Sequence, residues 1–460
     1  GYLQGWLFGF GFFFSSMHWI VNPFLIYEEH LILAPFVIII FPLSMGAFFS
    51  ISGILIKGFV SVVKIDENYF YTKCFLIGLF LFLSEYLRSI IFGGLPFNLH
   101  SHLWAFDERF ISITSYIGAF GLSFLTILWI TLISLYIKKL RISYFLILLF
   151  FPLSLFLTSQ IELEISQNKS DTALVRVVQP NIPQNEKWNR SLFEQHLNKL
   201  LELTNLENND EMIVIWPEAA MTLYLNENLD LVNFIKKNIK NNTTIITGGL
   251  RRVFSDNGYE IFNSLYVINN KKFDYYDKKK LVPFGEFIPL RSVLDFAKLT
   301  PGNTDFDKGT KKKLIELKYK KDIIHSEPSI CYEAIFQSFN YKEIDLMINI
   351  TNDAWFGNTT GPRQHLTSSI FRAVEKGVPL VRSANSGISV IVNSKGKTLG
   401  KINLNESGFF QQKINLGRNA TFFMKYENKI IYTLISVIFL LVSLLDFLIK
   451  KRKDLKIQPF

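Results

Sequence analysis

The sequence predicts a bundle of membrane-spanning α-helices joined to one soluble domain of layered α/β type. The chain contains 45 Phe, and its apolar residues form uninterrupted blocks before about residue 160 and after about residue 429. Between these blocks, short β-type runs alternate with helical ones, which is typical of a layered α/β domain. We therefore divide the chain into a transmembrane helix bundle (1–160), a soluble domain (161–429) and a C-terminal transmembrane helix with a basic tail (430–460).

The apolar blocks contain six candidate membrane spans. A helix needs about 20 apolar residues to cross a bilayer, and the six candidates are 4–22, 31–56, 74–93, 110–137, 142–160 and 430–449. Basic residues gather in alternate connections, at 57–73, 138–141 and 450–456. Because cytoplasmic loops are enriched in Lys and Arg, we expect these connections inside the cell. The soluble domain is then expected in the periplasm, beside a bacterial inner membrane.

The net charge of +10 could suggest a nucleic-acid partner. The basic residues, however, concentrate beside the apolar blocks, as expected for cytoplasmic loops. No nucleic-acid-binding motif accompanies them. We therefore expect a membrane-embedded protein with no nucleic-acid partner.

Two charged residues, Glu85 and Arg88, interrupt an apolar block. They are three positions apart and so share one face of a helix. Charged groups within a span usually face the interior of a bundle or a polar cavity. The pair is expected either to lock the bundle or to form a polar floor near the outer leaflet.

The soluble domain begins with two short apolar runs, 172–181 and 211–220, that end in turn residues as buried strands do. Between them, Leu197, Leu200 and Leu201 fall on one face of a helix. Further strand-type runs follow at 243–249, 261–268, 328–336, 344–350 and 387–397. This alternation favours a layered α/β domain over a purely helical or purely β one.

Polar residues at the ends of these runs are candidates for chemistry. Glu218 follows a strand and a Trp-Pro bend, several Lys precede Glu286, and a strand leads into Cys331 at the start of a helix. Singly, each has an ordinary structural explanation as a cap, a solvated face or a buried thiol. Together they supply a base, a cation and a nucleophile, which acyl transfer requires. At a helix start the thiol is expected to favour its thiolate form.

These motifs resemble the nitrilase (carbon–nitrogen hydrolase) superfamily, and with the spans they are similar to its branch of bacterial apolipoprotein N-acyltransferases. The matching segments are SEYLR (84–88), QPNIPQNEKW (179–188), WPEAA (216–220), YDKKKLVPFGEFIP (276–289), ICYE (330–333), NITNDAWFG (349–357), GPRQH (361–365) and VRSANSGIS (381–389). The resemblance implies an αββα sandwich for the soluble domain, so the full fold class is an α-helical transmembrane bundle plus a nitrilase-like αββα sandwich. Family members carry two further spans ahead of the first one here, which this chain is expected to lack.

The resemblance also assigns residues. It implies a catalytic triad of Glu218 as general base, Lys278 and the nucleophile Cys331. Further positions that the family needs for activity match Trp188, Glu286, Tyr332 and Glu333. The implied reaction moves a fatty acyl group from a phospholipid, through a Cys331 thioester, to the α-amino group of the diacylglyceryl-cysteine of an apolipoprotein. No cofactor or metal is implied, and the membrane platform favours a monomer.

Two other functions are compatible with part of the sequence. A membrane-tethered amidase or nitrilase would use the same triad on small amides, but such a substrate needs no platform of membrane spans. A transporter or lipid-binding scaffold with an inactive nitrilase domain predicts the loss of a triad residue, yet Glu218, Lys278 and Cys331 are all present.

Overall fold

The structure is a computed structural model of the 460-residue chain. It describes residues 1–62, 69–136, 142–160, 172–206, 211–240, 242–256, 258–269, 273–289, 291, 304–310, 314–338, 344–417 and 420–457. The predicted basic connection at 138–141 and part of the one at 57–73 lie outside these residues.

The chain divides into two compact units. One comprises Gly1–His18, Phe36–Glu164 and Ala420–Phe460, and the other comprises Trp19–Pro35 and Ile165–Asn419. The segment Trp19–Pro35 lies between the first two apolar helices in sequence, yet it clusters with the α/β unit.

The first unit is built from apolar helices. They are α1 (Tyr2–Ser16), α2 (Ala34–Val62), α3 (Phe70–Arg88), α4 (Glu108–Ile111), α5 (Thr114–Tyr136) and α6 (Ile142–Thr158), followed near the C-terminus by α10 (Phe422–Tyr426) and α11 (Lys429–Ile457). Within the described residues, four helices are long and apolar enough to cross a membrane: Glu28–Phe59, Phe70–Arg88, Thr114–Ser134 and Lys429–Asp454. The chain is therefore a membrane protein.

Two of the six predicted spans are shorter than expected. The segment 4–22 contributes to a helix of only 15 residues, which ends before Met17 and is followed by 3₁₀ turns that contain Pro23. The segment 142–160 forms a helix of 17 residues. Apolar composition alone did not reveal that the first run changes its backbone conformation after residue 16.

Glu85 and Arg88 do not form a side-chain ion pair with each other in the described structure; both hold the loop that follows their helix. The Glu85 carboxylate accepts a hydrogen bond from the His100 backbone N–H at 3.0 Å and lies 2.5 Å from His100 Nδ1. The Arg88 guanidinium donates to the carbonyl oxygens of Phe97, at 2.8 Å, and Leu95. Their role is thus to anchor residues 95–100, which neither sequence interpretation anticipated.

The second unit contains two mixed sheets in its described residues. The strands are β1 (Thr172–Gln179), β2 (Met212–Ile215), β3 (Met221–Tyr224), β4 (Thr243–Ser255), β5 (Gly258–Ile268), β6 (Phe273–Asp277), β7 (Ile315–Tyr319), β8 (Asp322–Ile330), β9 (Leu346–Thr351), β10 (Leu380–Ala384), β11 (Ser389–Val392), β12 (Thr398–Ile402) and β13 (Gly408–Asn415). One sheet has the order β13-β1-β2-β4-β5-β6, with β3 paired to β4, and the other has the order β12-β11-β10-β9-β8-β7. Each has a parallel centre, β1-β2-β4 and β8-β9-β10.

The two sheets pack face to face, with helices on their outer faces. The central core joins Val175 and Ile213 of one sheet to Ile348 and Val381 of the other, all at most 1% exposed. Helices α7 (Phe193–Asn205) and α8 (Leu229–Lys237) pack on the outer face of the first sheet, and α9 (Gly361–Lys376) packs on the second. This αββα layering and the long apolar helices confirm the predicted fold class.

Candidate active site

Glu218 lies just beyond the carboxyl end of β2, where the chain bends through Pro217. The next residue, Ala219, has a φ of 48°, a left-handed conformation that is unfavourable for a residue with a side chain. Gly248 of β4 passes directly beneath the bend, and a Cβ on it would lie 2.6 Å from both Glu218 Cα and Ala219 N. The close approach of Gly248 therefore fixes the position of the carboxylate.

Three groups contact the Glu218 side chain, which is only 8% exposed, and a fourth contacts its backbone. Oε1 accepts a hydrogen bond from Asn263 Nδ2 at 2.8 Å and lies 3.4 Å from Lys278 Nζ. Oε2 accepts from the backbone N–H of Asn352 at 2.8 Å. The Lys187 ammonium donates to the Glu218 carbonyl oxygen at 3.2 Å. Both side-chain oxygens are thus held, and their orientation is fixed.

Lys278 follows β6 and is held by two carboxylates. Its Nζ donates to Glu286 Oε1 at 2.9 Å and lies 3.4 Å from Glu218 Oε1. Burial alone would lower the pKa of Lys278, but the negative charges of Glu286 and Glu218 outweigh burial and raise it. Lys278 is therefore an ammonium group throughout the physiological pH range. Asn263 connects the two carboxylates, since its Nδ2 also lies 2.8 Å from Glu286 Oε1.

Cys331 is the first residue of a 3₁₀ turn at the end of β8, with φ 49° and a residue exposure of 7%. Its thiol is close enough to Glu218 and Lys278 for their charges to affect its pKa. Burial, and next the negative charge of Glu218, raise this pKa above that of an ordinary thiol. The expectation that a helix start would favour the thiolate is therefore wrong. The turn is short, and desolvation dominates, so the resting group is a neutral thiol.

Glu333 connects the chain segments that carry Lys278 and Cys331. Oε1 accepts from the backbone N–H groups of Lys279 at 2.8 Å and Lys280 at 3.2 Å, and Oε2 accepts from Ile330 N at 2.9 Å. The Tyr276 hydroxyl donates to the same carboxylate at 3.0 Å. Burial raises the pKa of Glu333. Its backbone partners lie on both sides of the site, beside Lys278 and Cys331 in the sequence.

The other two predicted positions lie at the margin of the site. Tyr332 is half-buried and packs edge-on against Phe336, with ring centroids 5.0 Å apart. Trp188 is half-buried, and its Nε1 has no hydrogen-bond partner among the described residues. The structure therefore brings Glu218, Lys278, Glu286 and Cys331 together. Trp188 and Tyr332 directly follow Lys187 and Cys331 in the sequence.

Two residues of the site were not predicted from the sequence. Asn263 is a polar residue in the apolar, buried half of β5 and is 6% exposed, which is the signal that could have identified it. Lys187 directly precedes Trp188 and is 2% exposed. Burial lowers the pKa of Lys187 to about 8, an effect that Glu218 partly offsets.

A metal ion is not favoured at the one cluster in the described residues with suitable ligand spacing. Ligand atoms of Cys331, Asp353 and His365 lie within 4.8 Å of one another. However, Arg382 Nη2 donates to Asp353 Oδ2 at 2.7 Å, so a fixed cation already neutralises the only carboxylate. The donor set does not fit a further positive charge.

The arrangement can perform acyl transfer in a site largely closed to water. A neutral thiol needs a base to remove its proton, and the Glu218 carboxylate is the nearby candidate. The Lys278 ammonium can stabilise the negative charge that develops on a carbonyl oxygen under attack. Because these groups are buried, their electrostatic interactions are stronger than they would be in water.

Comparisons with known proteins find relatives of both parts of the chain. The carbon-nitrogen hydrolase family matches residues 174–421, and the apolipoprotein N-acyltransferase N-terminal domain matches residues 1–132. The chain is 36% identical to an apolipoprotein N-acyltransferase of Rickettsia prowazekii over 95% of its own length and 88% of the relative's. It is 29% identical to the same enzyme of Rhizobium rhizogenes, over 90% and 80% of the two chains. A solved amidase of the nitrilase superfamily from Nesterenkonia AN1 aligns with 58% of this chain at 12% identity and a TM-score of 0.34.

Proposed function

The chain belongs to the apolipoprotein N-acyltransferase family, and from this premise we propose that Cys331 carries the transferred acyl group as a thioester. The chain is an acyltransferase that N-acylates lipoproteins, as the sequence predicted. The match also covers the apolar residues 1–132, which a membrane-tethered amidase would leave unexplained. The observation that supports the thioester most directly is the buried group of Glu218, Lys278 and Glu286 beside the Cys331 thiol.

In the first half-reaction, the Cys331 sulfur attacks the sn-1 ester carbonyl of a phospholipid while Glu218 takes the thiol proton. The carbonyl oxygen becomes an oxyanion, which Lys278 stabilises; one good donor of this kind contributes about 3–4 kcal/mol. When the tetrahedral intermediate collapses, the carbon–oxygen bond breaks. Protonated Glu218 returns its proton to the departing lysophospholipid. A thioester and a carboxylate remain.

In the second half-reaction, the α-amino group of a diacylglyceryl-modified cysteine attacks the thioester carbonyl. Glu218 accepts a proton from the attacking nitrogen, and Lys278 again stabilises the oxyanion. The carbon–sulfur bond breaks, the amide forms, and the proton on Glu218 returns to the Cys331 sulfur. Since the lysophospholipid leaves before the amine reacts, steady-state kinetics should be ping-pong.

The supporting residues have distinct proposed roles. Glu286 holds the Lys278 ammonium in place, because its carboxylate is the nearer of the two partners at 2.9 Å. Glu333 fixes the backbone on either side of the site. Tyr332 and Trp188 are proposed to contact substrate, since both are half-buried at the margin of the active site. We further propose that the enzyme acts as a monomer.

Intact-mass analysis of the purified protein tests the thioester. After incubation with a diacyl phospholipid of defined chains, wild-type protein should gain the mass of one acyl group, and Cys331→Ala protein should gain none. Cys74→Ala is the matched control, because Cys74 is buried within α3 and should leave acylation unchanged. Acylation of the Cys331→Ala protein, or none of the wild type, would overturn the proposal.

We also propose that the α/β unit lies outside the cytoplasm and the basic C-terminal tail inside. The support is the run of Lys450, Lys451, Arg452 and Lys453 at the end of a candidate span, as cytoplasmic segments have. A cysteine introduced at exposed Lys395 of the α/β unit should react with a membrane-impermeant maleimide in intact spheroplasts. A cysteine introduced at Lys453 should react only after lysis. The reverse pattern would refute this orientation.

A further inference from the structure

A buried polar cluster lies against the backbone of Cys331 and takes no part in the proton transfers described above. It consists of Asp353, His365 and Arg382, which are at most 1% exposed. His365 and Arg382 come from α9 and β10, and Asp353 follows β9, so three separate elements meet beneath the nucleophile. Such a network is costly to bury unless its groups satisfy one another.

The imidazole of His365 bonds to the carbonyl group of Cys331. Nε2 lies 3.0 Å from this carbonyl oxygen. A carbonyl oxygen can only accept a hydrogen bond, so Nε2 must carry a proton and donate it. On the opposite edge of the ring, Nδ1 lies 2.9 Å from Asp353 Oδ1 and 3.1 Å from Arg382 Nη2. Both ring nitrogens are therefore engaged, and the ring cannot turn without breaking these contacts.

The hydrogen bond from His365 stabilises an unfavourable backbone conformation at Cys331. Cys331 has a φ of 49°, in the left-handed region that residues with side chains adopt only at a cost in free energy. On its amino side, the N–H of Ile330 is held by Glu333 at 2.9 Å. On its carboxyl side, the bond from His365 holds the carbonyl oxygen. The two bonds together hold the chain on both sides of the Cys331 Cα, which carries the thiol.

Aromatic contacts hold the His365 ring from the side. Phe356 packs edge-on against it, with ring centroids 5.6 Å apart, and Trp19 packs edge-on against Phe356 at 4.8 Å. The Trp19 Nε1 also donates to Gln364 Oε1 at 3.0 Å, on the residue directly before His365. Trp19 belongs to the Trp19–Pro35 segment, which clusters with this unit despite its position in the sequence.

We propose that His365 is a positioning residue, which keeps Cys331 in its left-handed conformation by bonding to the Cys331 carbonyl oxygen, and that it is not a base for the thiol. A Cys–His–Asp base mechanism is the natural alternative, since His365 and Asp353 ligand atoms lie within 4.8 Å of the sulfur. Nε2 uses its proton on the carbonyl, and the lone pair of Nδ1 faces the Arg382 Nη2 donor at 3.1 Å, so neither nitrogen is available to take the thiol proton. Burial and the charge of Arg382 also lower the pKa of His365. This inference rests on the proposed function, because the reaction that His365 would assist is thioester formation at Cys331.

Two substitutions separate positioning from base catalysis. The side-chain amide of Gln can reach the place of Nε2, whereas that of Asn reaches only the place of Nδ1. We expect His365→Asn to slow single-turnover thioester formation roughly 10-fold to 100-fold, the range for a lost buried hydrogen bond. The phospholipid concentration at half-maximal rate should stay within about 2-fold. His365→Gln should recover most of the rate, because it retains a donor to the Cys331 carbonyl oxygen.

The matched control is Glu375→Gln on the same helix. Glu375 is 2% exposed and pairs with Arg372 at 3.0 Å, so this variant perturbs a buried ion pair that does not involve Cys331. It should lower the melting temperature and leave the rate unchanged. Equal rates for the Asn and Gln variants of His365, or a wild-type rate for Asn, would overturn the inference.

A second measurement keeps the inference testable without the acyl donor. In a Cys74→Ala background, iodoacetamide should alkylate Cys331 more slowly in His365→Asn than in His365→Gln, because the misplaced thiol loses the assistance of Glu218 and Lys278. Equal alkylation rates would refute positioning by His365. If wild-type protein forms no thioester while this difference persists, the proposed function fails and the inference stands.

Discussion

Replacement of Glu286 by Gln removes one negative charge from the site and preserves side-chain volume. Glu286 Oε1 lies 2.9 Å from Lys278 Nζ, and the two side chains are 6% and 1% exposed. At this distance and an effective dielectric constant of about 20, two unit charges attract by about 6 kcal/mol before desolvation is counted. Breaking a buried ion pair by removing one partner typically costs about 3–5 kcal/mol.

The variant should affect both activity and stability. With Glu286 neutral, Glu218 is the remaining carboxylate beside the ammonium, now 3.4 Å away. We expect Lys278 to bind Glu218 more tightly, so the proposed base becomes less available and the cation moves away from the oxyanion. Thioester formation should slow about 100-fold, which corresponds to about 3 kcal/mol in the activation free energy. The melting temperature should fall by several degrees.

The assay is the rate of acyl-enzyme formation, followed by intact mass in a single turnover. The matched control is Glu260→Gln, because Glu260 is an exposed residue on β5, the strand that also carries Asn263. The control should retain the wild-type rate and melting temperature. A Glu286→Gln rate within about 3-fold of wild type would show that the second carboxylate does not hold the lysine for catalysis.

Three further predictions follow from single positions. Gly248→Ala should abolish acylation and lower the melting temperature, because the new Cβ would lie 2.6 Å from Glu218 Cα; a folded, active variant would refute the role given to this close approach. Because burial raises the thiol pKa, the alkylation rate of Cys331 in Cys74→Ala protein should keep rising above pH 9, and a plateau with a midpoint below pH 8 would contradict a neutral resting thiol. The pKa of Lys187 is lowered from its ordinary value of 10.5 to about 8. Between these pH values the unfolded chain binds a proton at this residue and the folded chain does not. The contribution of Lys187 to the free energy of unfolding therefore rises with pH. The melting temperature of Lys187→Met should lack this rise across pH 8–10, and an unchanged pH profile would refute it.

The sequence was sufficient for the architecture because the period of its apolar residues differs between the two parts of the chain. Strand runs such as 211–220 and the one-sided apolar face of 193–204 predicted the layers that the structure contains. The predicted span 4–22 is longer than the observed helix, because an apolar run does not reveal where an α-helix ends and 3₁₀ turns begin. The clustering of Trp19–Pro35 with the α/β unit depends on tertiary contacts that no local pattern encodes.

The site residues were predictable only where a motif carried them. Glu218, Lys278, Glu286 and Cys331 are distant in sequence, and the structure places them around one another. The sequence could not show that Asn263 connects the two carboxylates, because a strand residue's partner depends on sheet register. Nor could the sequence predict that the pKa of the Cys331 thiol is raised, since desolvation of the thiol depends on how the surrounding layers pack.

Transfer of the acyl group from isolated acyl-enzyme is the most direct test of the central claim that Cys331 holds it between two half-reactions. Wild-type protein would be loaded with a deuterated acyl chain, freed of phospholipid, and mixed with a synthetic diacylglyceryl-cysteine peptide. The deuterated mass should leave the Cys331 peptide and appear on the α-amino group of the acceptor at least as fast as steady-state turnover. An acyl-enzyme that persists while the acceptor is acylated only when phospholipid is restored would contradict the account.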